Sequence, residues 1–183
     1  MEIKIPELGK EDIDVRVQST FKASNGKVYA TLLLYKNARV DMRILDKVFG
    51  VTGWQREHHA IDGKLYCTVS VWDGDKHQWI KKQDVGTENM QQAQKSEASD
   101  SFKRACFNVG IGRELYSAPN IFIELKQGEY TENGSKIKCK TTLKFTVGQI
   151  SYNEDRTIDG LIIVDNKGLV RFALKPEKQH ERG

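Results

Sequence analysis

Residues Leu65 to Trp72 alternate strictly between apolar and mixed positions, and a turn signal stands at each end. Leu65, Cys67, Val69 and Val71 form one row; Tyr66, Thr68, Ser70 and Trp72 form the other. That two-residue period belongs to a strand with two different faces. Asp62-Gly63 precedes the run and Asp73-Gly74-Asp75-Lys76 follows it, and Asp-Gly pairs favour tight hairpins. Trp54 to Ile61 and His77 to Val85 supply extended segments on either side, so this region is expected to be a three-stranded antiparallel meander.

A helix is expected next, from about Asn89 to Val109. Ala98, Phe102, Ala105/Cys106 and Val109 follow the stripe of a core-facing helix. Lys95, Ser99 and Lys103 share one surface line and Ser96, Asp100 and Arg104 the next. Gly110 and Gly112 stop the helix. The adjacent cations Lys103 and Arg104 sit near its C-terminal end, where positive charge complements the helix dipole.

The flanks are read with the same rules. Residues 7–19 loosely fit a short helix through Leu8, Ile13 and Val17. Ser24-Asn25-Gly26-Lys27 is a turn, and Val28 to Tyr35 a strand. Asn37 is placed to cap a helix from Arg39 to Phe49 that buries Val40, Ile44, Leu45 and Val48, and Gly50 ends it. After Pro119, Ile121 to Leu125 is a strand, and Leu161 to Leu174 folds as a hairpin around Asp165-Asn166-Lys167-Gly168. The expected class is α+β. The expected division is a main domain over 1–125, a small β-rich appendage over 126–175 and a flexible tail over 176–183.

Several chemistries have no footing in these residues. His58, His59, His77 and His180 pair with no cysteine or carboxylate at metal-ligand spacing. Cys67, Cys106 and Cys139 are widely separated, which fits reduced intracellular thiols, and Cys106 falls on the core stripe. Gly110-Ile111-Gly112 follows a helix, whereas phosphate-binding glycine loops precede one, so an ATPase is not expected. No serine elbow or cysteine–histidine signature is present. No metal, cofactor or catalytic residue is assigned. The apolar runs are too short to span a bilayer, and Met1 to Glu7 lacks an apolar signal core, so the cytoplasm is the expected location.

The formal charge of +4 is only mildly basic, so its distribution matters more. Lys76, Lys81, Lys82, Lys95, Lys103, Arg104 and Arg113 outnumber the four acids between residues 76 and 113, and a similar excess runs from Lys126 to the end. A cationic groove would have to be assembled by folding or by oligomerisation. The expectation is a protein that holds a polyanion and does no bond chemistry on it.

Six short pieces stand in one order along the chain. They are Arg39-Val40, Phe49-Gly50-x-x-Gly53-Trp54, Gly63-Lys64-x-Tyr66, Asp84-Val85-Gly86, Ala98-x-Asp100-x-x-Lys103-Arg104-Ala105 and the Gly110/Gly112 turn. Together, over residues 30–117, they resemble the single-strand annealing domain of the Rad52 family, and in size and order its bacteriophage-type recombinases. The resemblance implies a ring or helical homo-oligomer whose subunits line a continuous basic groove. Single-stranded DNA would run there with phosphates inward and bases outward, ready to pair with a complementary strand without ATP. Carried over by position, Arg39, Lys103 and Arg104 match the groove cations. Where the family can place a further arginine, this chain has Phe107; Lys95 and Lys82 are read as compensating cations, and Lys81 completes the expected DNA-binding set.

The reading is therefore an ATP-independent annealing protein of homologous recombination and repair, without enzymatic chemistry. A passive single-strand-binding protein is the alternative, and a small metal-dependent nuclease a third. Expected partners are single-stranded DNA, further copies of the chain, and a host single-strand-binding protein or phage exonuclease.

Overall fold

The computed structural model describes residues 3–86 and 93–176, without the side chains of residues 93–96. In chain order a short 3-10 turn at Lys10–Asp12 precedes β1 (Asp14–Lys22), β2 (Val28–Tyr35), α1 (Ala38–Phe49), β3 (Trp54–Ile61), β4 (Lys64–Asp73), β5 (Gln78–Val85) and α2 (Ala93–Val109). A second 3-10 turn at Arg113–Ser117 leads to β6 (Ile121–Leu125), β7 (Tyr130–Asn133), β8 (Lys136–Cys139), β9 (Phe145–Tyr152), β10 (Ile158–Asp165) and β11 (Val170–Leu174). The fold is α+β and its sheets are antiparallel. The chain forms two compact units, residues 1–8 with 36–113 and residues 9–35 with 114–183.

In the first unit, β3, β4 and β5 form the expected meander. Cys67 stands opposite His58 and Asp84, Val69 opposite Arg56 and Lys82, and Val71 opposite Trp54 and Ile80. Asp62 and Gly63 both have positive φ, 50° and 75°, the backbone that a two-residue hairpin turn needs. α2 packs against β4 and β5 and buries Phe102, Ala105 and Cys106 completely against Cys67 and Val69. Truncating a ring such as Phe102 in a sealed core costs about 3–5 kcal/mol. The helix ends as a glycine-capped turn: the Gly110 N–H bonds to the Phe107 carbonyl and the Ile111 N–H to the Cys106 carbonyl, both at 3.0 Å. Residues 89–92, where the sequence suggests the helix begins, lie outside the described residues. α1 starts at the expected cap, with Asn37 Oδ1 accepting from the Arg39 N–H at 3.0 Å, and it buries Val40, Ile44 and Leu45.

In the second unit one six-stranded sheet has the order β11-β10-β9-β1-β2-β6. Its buried row runs through Val28, Ala30, Leu32 and Leu34, then Ile121, Ile123 and Leu125, and Phe145, Val147, Leu161 and Ile163. The expected helix over residues 7–19 is absent. Asp14–Lys22 is a strand, paired with β2 from Asp14↔Tyr35 to Lys22↔Val28. The turn after Ala23 returns the chain onto its own preceding segment, and those pairings outweigh the weak helical spacing of Leu8, Ile13 and Val17.

The division expected at residue 125 also differs from the contacts. β9, β10 and β11 continue the sheet of β1, β2 and β6, joined at Asp14↔Thr146, because a short hairpin set with one apolar face gains most by extending a sheet. Only β7 and β8 pair as a separate hairpin. Residues 177–183 of the expected tail lie outside the described residues. Arg171 ties this unit together. Its guanidinium, 8% exposed, forks onto Glu129 at 2.9 and 2.7 Å, reaches Asp165 at 3.0 Å and donates to the Glu124 carbonyl at 2.8 Å. Those bonds hold the Glu129 carboxyl below its ordinary range.

Candidate nucleic-acid interface

The motif residues of the first unit mostly fix α2 on the meander. Asp84 accepts from Arg104 Nε at 3.2 Å and from Asn108 Nδ2 at 3.2 Å, so one carboxylate on β5 holds two residues one turn apart on the helix. Two residues on, a Cβ at Gly86 would lie 2.6 Å from the Glu97 carbonyl oxygen. Only glycine admits so close a helix backbone. Glu97 in turn accepts from the Leu65 N–H at 2.8 Å. Trp54 stacks on Phe102 with ring centroids 6.2 Å apart and donates its indole N–H to Asp46 at 2.7 Å, which joins α1, β3 and α2.

The predicted cations occupy different parts of this frame. Arg104 leans toward β5 and is 41% exposed beside Asp84. Lys103, one residue earlier, points its ammonium toward Asp100 at 3.9 Å and is 28% exposed. Arg39 is exposed in the first turn of α1, and its side chain makes no ion pair among the described residues. Lys81 and Lys82 are both exposed on β5 but occupy opposite faces: Lys82 pairs with Val69 on the face that carries α2, and Lys81 with Ser70 on the other. The α2 face therefore gathers Lys82, Lys103 and Arg104 and leaves Lys81 out. The side chain of Lys95 lies outside the described residues. Arg56, which the sequence reading does not single out, shares that face and stands over the Phe102 ring at 4.6 Å.

Beneath these cations lies a buried one. Lys36 is 1% exposed at its side chain and pairs with the fully buried Asp41 of α1. Its ammonium is also 3.4 Å from the Lys103 carbonyl oxygen and stands 4.2 Å above the Phe107 ring. Phe107, at the position where the family resemblance allows a further arginine, is therefore the cation–π floor for Lys36. Gly112 completes the seat: at φ +78°, a Cβ there would lie 2.6 Å from Lys36 Cε. Lys36 thus connects the start of α1, which bears Arg39, to the half of α2 that bears Lys103. Burial raises the Asp41 carboxyl to about 6, against the opposing pull of Lys36.

The same surroundings suppress thiolate formation at the buried cysteines. Burial pushes the Cys67 thiol up to about 11 and raises Cys106 as well, so neither is poised as a thiolate. Among the described residues no group of three or more His, Cys, Asp or Glu side chains is placed to hold a metal ion. No helix among them is long and apolar enough to cross a membrane.

An antiparallel meander thus bears a helix with the paired cations Lys103 and Arg104, and a packed neighbouring helix bears Arg39. Residues 6–134 match the model of the Rad52/22 family double-strand break repair protein. The chain belongs to that family, whose members bind DNA, act in recombination and repair, and anneal single strands. The match reaches beyond the motif-bearing residues 30–117 on both sides. Neither the curated proteins nor the solved structures contain a match to this chain.

Proposed function

We propose that this chain is an ATP-independent single-strand annealing protein that acts as a ring or helical homo-oligomer in a bacteriophage-type recombination system in the host cytoplasm. The observation that carries the reading is Lys36, which braces Arg39's helix against Lys103's inside a family-matched domain. Arg39, Lys103 and Arg104 neutralise phosphates, and Lys82, Arg56 and Lys95 add to the same potential. Phosphate contacts carry no sequence information, so any strand is accepted. Bases left outward meet their complements, and base pairing drives the reaction with no nucleotide hydrolysis. A few cations per subunit suffice because an oligomer repeats them along the strand. A host single-strand-binding protein or a phage exonuclease is the natural neighbour of such a protein.

The alternative is passive protection of single strands. The two readings separate in a fluorescence assay of complementary oligonucleotides mixed without ATP or magnesium. Annealing faster than the spontaneous rate supports the proposal, and a rate at or below it supports protection. Strand cleavage on adding magnesium would point to a nuclease.

A further inference from the structure

The second unit holds a cleft of ≈ 660 Å³ between β1 and the segment Ile137–Phe145. One wall is the outer edge of β1. β9 pairs with β1 only at Asp14↔Thr146, so among the described residues no strand covers that edge from Val15 to Ser19. The Thr20 hydroxyl bonds to the Ile137 carbonyl and closes the far end. The rim is cationic on both sides, with Arg16 on β1 and Lys138, Lys140 and Lys144 opposite. All four are exposed, none has an ion-pair partner among the described residues, and the lining contains no carboxylate. The floor is partly apolar, through Val17 and Leu143. The opposite wall lies beyond residue 134, outside the family match.

We propose that this cleft captures an acidic, extended peptide segment of a partner protein, laid along the open edge of β1. Three features favour a peptide over nucleic acid. An open strand edge offers both N–H donors and carbonyl acceptors, which another peptide backbone satisfies and a phosphate backbone, an acceptor only, does not. Apolar side chains on alternate positions suit the Val17 and Leu143 floor, while the acidic ones between them meet the rim. Tyr35, an aromatic in the lining, already has Arg16 over one face at 5.6 Å, which leaves less of the ring for a base to stack on. Five residues of edge correspond to about 16 Å of strand, enough for a segment of about five residues. The proposal is independent of the strand-annealing reading.

The test titrates the full-length protein into a fluorescein-labelled octapeptide alternating Asp with Leu. Its counterparts carry Lys for Asp or N-methyl groups on alternate backbone nitrogens, and a labelled oligothymidylate is titrated in parallel. The Asp peptide is expected to bind and the Lys peptide not to. N-methylation should weaken binding by about tenfold, because it removes the edge hydrogen bonds. The double variant K140E/K144E, and separately R16E on the other wall, should weaken the Asp peptide by about tenfold with oligothymidylate affinity unchanged. Absence of Asp-peptide binding, full affinity after N-methylation, or unchanged affinity in both charge-reversal variants would each overturn the proposal. Loss of oligothymidylate binding in those variants would overturn it too, and would make the cleft a nucleic-acid track.

Discussion

Lys36 and Asp41 form an ion pair sealed from solvent, with side chains 1% and 0% exposed. A buried pair contributes little net stability while intact, because desolvation offsets attraction, but removing one partner strands the other's charge. Lys36→Met should therefore destabilise the protein at neutral pH by about 3–5 kcal/mol, measured by urea unfolding. The loss should shrink in acid, where Asp41 can take up a proton. A loss below about 1 kcal/mol at pH 7 would mean that Lys36 is not bracing the two helices.

The same carboxyl gives the wild-type protein a pH signature. Its native value of about 6 lies above the unfolded value of about 3.9, so the native state holds the proton more tightly. The stability that Asp41 contributes is thus fully present below about pH 4 and is lost as pH rises to about 6, a change of about 3 kcal/mol. Urea unfolding of wild type and Asp41→Asn across pH 4 to 8 isolates this term. Their difference should vary over that window and flatten above it.

Gly86 and the cations of α2 should separate structure from binding. Gly86→Ala drives a methyl into the helix backbone at Glu97, which has no flexible end to yield, and should cost about 1–3 kcal/mol together with single-strand affinity. Lys103→Ala with Arg104→Ala should reduce affinity and leave the mass of the proposed assembly, measured by light scattering, unchanged. Dissolution of the assembly in the double variant would assign the pair to subunit packing.

The meander, α1 and the β10–β11 hairpin were legible because local signals agreed: alternation in β4, the Asn37 cap, and turn residues at Asp62-Gly63 and Asp165-Gly168. The buried stripe of α2 at Phe102 and Cys106 was legible for the same reason. β1 carries little local signal, because its one apolar row, Val15 and Val17, is short and only half-buried, and its identity rests on pairing with β2. Lys36 left no local trace. Its partners lie five residues away in Asp41 and 71 away in Phe107, so a lysine before a helix cap reads as a surface residue. Phe107 looks like a missing cation in the sequence because its partner Lys36 is supplied only by the fold.

The most direct measurement of the central claim is the salt dependence of oligothymidylate binding, by anisotropy, for wild type and the Lys103→Ala/Arg104→Ala variant. Each phosphate neutralised on a single strand contributes about −0.7 to the slope of log K against log salt. If both cations contact phosphates, the variant binds more weakly and its slope is shallower by about 1.4 per bound subunit. Equal affinity and equal slope in the two proteins would contradict the account and remove α2 from the DNA interface.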